Sequence, residues 1–452
     1  MSKPDVKTGR LSAEEIAQNF SDIHPPLSRS EALIESDRCY FCFDAPCTTA
    51  CPTDIDVPGF IQKIRSDNLL GSAETILREN IMGGMCARVC PTEVLCEEAC
   101  VRNTQEDRPV NIGRLQRYAT DPVLENKSQL FQRATGTGKK VAVVGGGPAG
   151  LSCAHRLAML GHNVVVFSRD SKLGGLNEYG IAAYKTVNDF AQREIEWILQ
   201  IGGIEVRSNT ILGADVTLDE LRHEFDAVFL GIGLGGVNDL GLGNEDSDVV
   251  LNAVDFIADL RQAEDKSSLP VGRRVVVIGG GMTAIDVAVQ SKRLGSEQVE
   301  IVYRRGPGNM GASQYEQELA QTSGVTIRHW AMPVKMESID GLTRVWFEDT
   351  EFDENGSLRS TGDSWFLDTD IVFKAVGQAI DQDTLGSLAE SFEQKGGKLM
   401  VDEHRRTSLD DVWAGGDCIY GHDDLTVTAV QDGKLAAISI NSHLCGKEVS
   451  NG

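Results

Sequence analysis

The chain has no long apolar run. No stretch approaches the roughly 18 uninterrupted apolar residues of a membrane helix, so no membrane span is expected. Positive charge is also in short supply. With 43 Lys and Arg against 67 Asp and Glu, the net charge is -24, the wrong sign for a surface that must meet nucleic-acid phosphates. A well-solvated surface is the plain reading of that acidity. The opening "MSKPDVKTGRLSAEEIAQNF" lacks the apolar stretch of a secretory leader, so the expected location is cytoplasmic, where cysteines stay reduced. Over most of the sequence cysteine is scarce too: outside residues 39–100 only Cys153, Cys418 and Cys445 occur. At 452 residues, 41% hydrophobic and 24% charged, the chain is long enough for about three ordinary globular domains.

The cysteines that are present are concentrated. "CYFCFDAPCTTACP" (39–52) and "CARVCPTEVLCEEAC" (86–100) hold eight of the 11. A disulfide framework belongs to short secreted domains, so in this long chain the thiols read as metal ligands. C-x2-C-x4-C-x3-C-P lies close to the ferredoxin run C-x2-C-x2-C-x3-C-P, in which the cysteine before proline serves the other cluster. That rule groups Cys39, Cys42 and Cys47 and sends Cys51 to a second cluster. A reciprocal crossover gives Cys100 to the first group and Cys90 and Cys96 to the second. Counting alone completes the second group with Cys86, four residues before Cys90 on one helical face. Zinc is the rival reading, but its sites usually come as separated CxxC pairs, whereas these runs interleave.

Beyond a polar linker, "QRATGTGKK" (132–140), an internal repeat sets the fold class. "VAVVGGGPAGLSCAHRLAMLG" (141–161) and "RVVVIGGGMTAIDVAVQSKRLG" (274–295) share a β-branched strand, three glycines, an alanine-bearing helix and a closing Leu-Gly. Each is followed by another apolar run, so two βαβ units and two parallel sheets are expected, an α/β architecture with two Rossmann-like dinucleotide-binding domains. In the first copy Gly145, Gly147 and Gly150 carry the G-x-G-x-x-G spacing; in the second, Gly279, Gly281 and Ala284 carry its alanine variant. Phosphates would sit on the positive end of each following helix. The end of the second strand selects the nucleotide. "VYRRG" offers Arg304 and Arg305 to a 2′-phosphate, which predicts NADPH over NADH, while "VFSRD" offers Ser168 where an acidic residue is usual.

These motifs, with "PVNIGRLQRYA", "GGLNEYGIAAYK" and "AGGDC", resemble along nearly the whole chain the electron-input part of dihydropyrimidine dehydrogenase, in its separate bacterial PreT-type form. The small subunit of NADPH-dependent glutamate synthase is a close relative with the same layout. The resemblance implies an N-terminal arm (1–30), an α-helical domain with two [4Fe-4S] clusters (31–131), and an FAD domain in two parts (132–265 and 372–452) with an NADPH domain inserted (266–371). It implies Gln116 as the eighth cluster ligand and leaves Cys86 as a buried hydrophobe. Implied FAD contacts are Gly145, Gly146, Gly147, Pro148, Ala149, Gly150, Ser168, Gly175, Leu176, Lys185, Ile211, Gly416, Asp417 and Thr426. Implied NADPH contacts are Gly279, Gly280, Gly281, Met282, Thr283, Arg304, Arg305, Ala375, Val376 and Gly377. Gly311 stands where mammalian members offer a further arginine, which leaves NADH possible.

The activity implied is NADPH oxidation, with electrons passed through FAD and two clusters to a partner FMN/iron–sulfur subunit that reduces uracil or thymine, in a hetero-oligomer. Hydride transfer needs no acid–base pair, so no catalytic base is expected. A glutamate synthase small subunit is the alternative within the class, and a zinc-stapled dinucleotide-binding scaffold the alternative outside it.

Overall fold

The computed structural model describes residues 6–446. The first five residues of the expected arm and the last six of the expected FAD domain lie outside them. The chain divides into two compact units: residues 24–178, 188–236 and 379–452 form one, and residues 1–23, 179–187 and 237–378 the other.

In the first unit the cysteine-rich text folds as short helices, among them Arg29–Asp37, Val57–Arg65, Leu69–Glu79, Gly83–Val89 and Ile112–Glu125. Local sequence explains their starts. Ser28 and Glu31 form a reciprocal capping box, and the side chains of Asp56 and Asn68 cap the next two helices. Their apolar faces meet in a small core around Phe60, Ile61, Ile76, Leu115 and Ala119, and five of the cysteines pack against its edge. The rest of this unit is a five-stranded parallel sheet in the order Val412–Ala414, Ala227–Leu230, Lys140–Val144, Asn163–Phe167, Ile204–Arg207. The first strand in sequence lies at the centre, so the chain turns to opposite sides of it. Ligands of open parallel sheets bind at such a switch point.

The second unit repeats the pattern. Its parallel sheet runs Val250–Asn252, Ile371–Ala375, Arg274–Gly279, Gln298–Tyr303, Thr326–His329. A separate antiparallel sheet, Ala331–Ile339, Leu342–Phe352 and Leu358–Thr369, interrupts the connection to the Ile371–Ala375 strand. Two borders fall elsewhere than expected. The strand Val250–Asn252 pairs with Ile371–Ala375, so the inserted domain begins before 266 and ends after 371. The N-terminal segment is not an arm throughout: Ala13–Asn19 is a helix whose Ile16, with Phe20, is buried in this unit's core.

One buried carboxyl joins the helical part of the first unit to its sheet part. Glu194, on the helix Phe190–Leu199, accepts hydrogen bonds from the N–H groups of Gly84 (2.9 Å) and Met85 (3.0 Å). Burial raises its pKa to about 8, against the opposing pull of those N–H groups and Arg88. The folded chain therefore holds this proton more tightly than the unfolded chain. The resulting stabilisation is complete below the ordinary glutamate range and is lost as pH rises through about 8. The wild-type unfolding midpoint should fall over that window, with a slope of up to about 1.4 kcal/mol per pH unit. Glu194→Gln, which keeps an acceptor oxygen, should flatten that slope, and an unchanged pH profile in the variant would refute the assignment.

Candidate functional site

Four thiols, Cys39, Cys42, Cys47 and Cys100, line one cavity in the first unit, closed by apolar side chains that include Val57, Ile61 and Ile112. None is in a disulfide. The loop closes because two non-glycine residues, Phe41 and Ala45, take positive φ (52° and 37°), and the Phe41 N–H donates to the Cys39 sulfur at 3.4 Å. Burial raises the Cys47 thiol to about 12, and the neighbouring Cys39 and Cys100 add to the shift. Burial raises Cys39 likewise, with Cys42 and Cys100 contributing. Such thiols ionise only when a cation arrives to take the charge. Cys100, from the second run, thus lies in the same cavity as the first three cysteines of the first run.

The second group gathers around Cys90. Its pKa is raised well above the usual thiol value by a hydrogen bond with Cys86, by burial and by the charges of Cys86, Cys51 and Cys96. Cys96 is raised by burial, by Glu97 and by Cys51 and Cys47. Gln116 reaches the same helix: its Nε2 donates to the Gly83 carbonyl at 2.7 Å, and it is buried. That bond uses the donor end of the amide; among the described residues no hydrogen bond engages Oε1, the end of an amide able to bind a metal. Arg88 donates to both oxygens of Asp121 (2.8 and 2.9 Å) and fixes the helix Gly83–Val89 to Ile112–Glu125. Both rival ligands, Cys86 and Gln116, thus stand on elements that meet here. Among the described residues no three His, Cys, Asp or Glu side chains converge as a single-ion site.

The first glycine turn lies at the switch point of its sheet. Gly145 has φ +107°, and a Cβ there would fall 2.1 Å from the Gly231 carbonyl oxygen; one on Gly150 would fall 1.9 Å from that of Gly145. Only glycine permits this approach of strand and helix. At Gly147 the nearest atom to such a Cβ is the Gly175 Cα at 3.8 Å, so the face a pyrophosphate needs is open. The helix Pro148–Met159 begins there, with Ala149 and Gly150 in its first turn. Ser168 Oγ lies close to Gly146, while Leu176 and Ile211 expose apolar side chains (41% and 47%). At the far end of the chain Gly416 has φ +76° and donates its N–H to Asp432 at 2.8 Å. The next residue, Asp417, is raised to about 6 by burial and by nearby Asp424 and Asp432. Thr426 opens the helix Thr426–Cys445 and donates to Asn177 at 2.7 Å. Asp432, which fixes the Gly416 turn, escaped sequence reasoning; its only sign was its place in "VQDGK".

Lys185 alone among the implied FAD contacts falls in the second unit. There its ammonium pairs with Asp286 (2.7 Å) and Glu316 (2.8 Å). Burial alone would lower its pKa, but the two carboxylates outweigh that and raise it. In that unit Gly279 (φ +146°) approaches the Ala375 carbonyl so closely that a Cβ would lie 2.1 Å from its oxygen. Val376 and Gly377 (φ +95°) continue that turn. Around Gly281 nothing stands within 4 Å of an added Cβ, and Met282 and Thr283 open the helix that follows. Arg304 and Arg305 follow the strand Gln298–Tyr303, the first exposed and the second half-buried.

Residues 16–128 match the family model for dihydropyrimidine dehydrogenase domain II, 4Fe-4S cluster, and residues 139–433 that for pyridine nucleotide-disulphide oxidoreductase. The chain is 35% identical, over 94% of its length and 98% of the relative's, to the NAD-dependent dihydropyrimidine dehydrogenase subunit PreT of Salmonella typhimurium. The PreT of Escherichia coli is 36% identical over 95% and 98%. The chain belongs to the PreT family of flavin and iron–sulfur oxidoreductase subunits. The glutamate synthase [NADPH] small chain of E. coli is similar too, 35% identical over 94% of each chain. Mycobacterium tuberculosis FprA in complex with NADPH shares the fold, with TM-score 0.58 at 20% identity over 68% of this chain and 85% of that one. T. acidophilum thioredoxin reductase does likewise, with TM-score 0.54 at 20% identity over 68% and 99%. As a member of this family the chain is a pyridine-nucleotide oxidoreductase with 4Fe-4S, FAD and NAD(P)(H) as its cofactors. Among the described residues no helix is long and apolar enough to cross a membrane.

Cys86→Ser should leave the iron and acid-labile sulfide of the anaerobically purified protein at about eight each per chain, while Gln116→Ala should perturb one cluster only. Loss of half the iron in the serine variant, with none lost in the alanine variant, would transfer the eighth ligand to Cys86. Replacing Arg304 and Arg305 together with glutamine should raise the Kd for NADPH, by roughly 1–3 kcal/mol per lost charge-assisted contact, and leave that for NADH nearly unchanged. Equal losses for the two coenzymes would remove the arginines from 2′-phosphate recognition.

Proposed function

We propose that this chain is the NADPH-oxidising subunit of a dihydropyrimidine dehydrogenase, delivering electrons to a partner FMN/iron–sulfur subunit that reduces uracil or thymine. The observation that carries the reading is the second thiol group around Cys90, with the Gln116 amide held through its nitrogen on the Gly83 carbonyl of the helix that bears Cys86. The near full-length similarity to PreT subunits supports it from a separate direction. When bound, the flavin and the two clusters convert the paired electrons of one hydride into single-electron transfers.

The protein's own part is to bind, orient and insulate. In this reading the Gly145–Gly150 turn and the helix behind it take the FAD pyrophosphate, Ser168 a ribose hydroxyl and Asp417 the ribityl chain, with Leu176 and Ile211 as apolar contacts. The Gly279–Thr283 turn takes the NADPH pyrophosphate, Ala375–Gly377 borders it, and Arg304 and Arg305 hold the 2′-phosphate. Cys39, Cys42, Cys47 and Cys100 hold one cluster; Cys51, Cys90, Cys96 and Gln116 hold the other. The arginines argue for NADPH although the PreT relatives are named NAD-dependent. Lys185, committed to Asp286 and Glu316, serves better as a tie within the nucleotide unit than as a flavin contact.

The glutamate synthase small chain sets the second reading, since its similarity is equal. The partner decides between them. The purified chain should pass electrons from NADPH to artificial one-electron dyes but should not reduce uracil, because an FMN barrel alone typically needs about 250 residues. Adding a pyrimidine-reducing FMN subunit should restore uracil-dependent NADPH oxidation. Coupling instead to a glutamine-dependent amidotransferase subunit would favour the second reading, and uracil reduction by the chain alone would overturn both.

A further inference from the structure

The turn carrying Arg304 and Arg305 is gripped from behind by a residue in an uncommon conformation. Trp330 follows the strand Thr326–His329 with φ +62°, a region that glycine enters freely and a bulky side chain only at a cost. Its flanking peptide groups are both engaged. The Trp330 N–H donates to the Arg305 carbonyl at 3.2 Å, and the Trp330 carbonyl accepts from the Thr350 N–H at 2.8 Å. Thr350, buried in the strand Leu342–Phe352, also donates its hydroxyl to the Arg304 carbonyl at 2.8 Å. The indole lies so close to Gly306 that a Cβ there would fall 2.7 Å from the ring, and Phe352 meets the ring edge-on at 5.3 Å. At the other end of the turn the Tyr303 hydroxyl donates to the Asn309 carbonyl at 2.6 Å.

The backbone of the arginine turn is therefore fixed at Arg304, Arg305 and Gly306. Neither guanidinium has a side-chain partner among the described residues. The usual way to order such a turn is an ion pair, which would spend the charges; here the ordering comes from the inserted antiparallel sheet and leaves both charges available.

We propose that Trp330, seconded by Thr350, is a positioning residue for coenzyme choice, holding the Arg304–Gly306 backbone so that both guanidinium groups meet the 2′-phosphate of NADPH together. The inference rests on the reading of Arg304 and Arg305 as the 2′-phosphate site. A strained residue persists where its surroundings over-determine it. Glycine would satisfy this backbone without strain, so what tryptophan adds is the ring against Gly306. A turn ordered before the ligand arrives loses less freedom on binding, and only a coenzyme that bears the phosphate gains from it.

The test is steady-state oxidation of NADPH and of NADH by the full chain, purified anaerobically with its flavin, using an artificial one-electron dye. Trp330→Ala should raise KM for NADPH about tenfold, with kcat and the KM for NADH each changed less than about twofold. Trp330→Phe, which restores a ring, should recover most of the loss. Thr350→Val should move the same ratio in the same direction by about threefold, and it decides the matter if Trp330→Ala does not fold. Arg304→Gln/Arg305→Gln separates the two levels. If that pair leaves the NADPH-to-NADH ratio untouched, the arginine reading fails and the inference with it. If the pair collapses the ratio while Trp330→Ala and Thr350→Val affect both coenzymes equally or neither, only the positioning role is overturned.

Discussion

Thiolates repel one another, and this chain crowds them into apolar surroundings. In the cavity that Cys42 and Cys100 also line, burial and neighbouring sulfur together raise the cost of ionising Cys39 and Cys47. The helical segment has too small an apolar core, centred on Phe60 and Leu115, to absorb several bare charges. A cluster with a positive inorganic core is the natural resolution, so metal binding and the folding of this segment are one equilibrium. The remaining fastenings, Arg88 on Asp121 and Glu194 on the Gly84 and Met85 amides, hold the second thiol group in place relative to the sheet of the same unit.

The nucleotide turns use the opposite strategy. They concentrate no charge at the phosphates; they remove side chains until main-chain amides and helix ends can meet the ligand. The near-collisions that a Cβ would cause at Gly145, Gly150 and Gly279 pull strand and helix together, while the clear space at Gly147 and Gly281 is left for the ligand. In the proposed reading, charge enters only at the periphery, through Asp417 for a hydroxyl-bearing chain and Arg304 and Arg305 for a phosphate. Binding energy and selectivity are thereby assigned to separate residues.

What could be read from the sequence follows this division. Glycines required by a positive φ at Gly145 and Gly279, by close approach at Gly150 and by open space at Gly147 and Gly281 leave a fixed spacing, and so both turns and both parallel sheets were legible at the residue level. The nearness of Cys100 to the first run is what the chain-length constraint on ligand spacing implied. The borders of the inserted domain were not: Val250–Asn252 is three residues long and is recognisable as a strand only from its partner Ile371–Ala375. The N-terminal helix was hidden because only Ile16 on it is buried. Trp330 carries no motif at all, since its conformation is imposed by contacts with Arg305 and Thr350 that no local pattern encodes.

The interleaving of the two cysteine runs also has a consequence for biosynthesis. In the proposed ligand set the ring that Cys39, Cys42 and Cys47 begin is closed by Cys100, which lines the same cavity, so a nascent chain exposes three of these ligands well before it offers the fourth. At about 5–20 residues per second this interval lasts a few seconds, during which those thiols are open to oxidation or to a stray ion. With that set, neither run completes its cluster by itself. Loading would then wait until the whole helical segment had emerged.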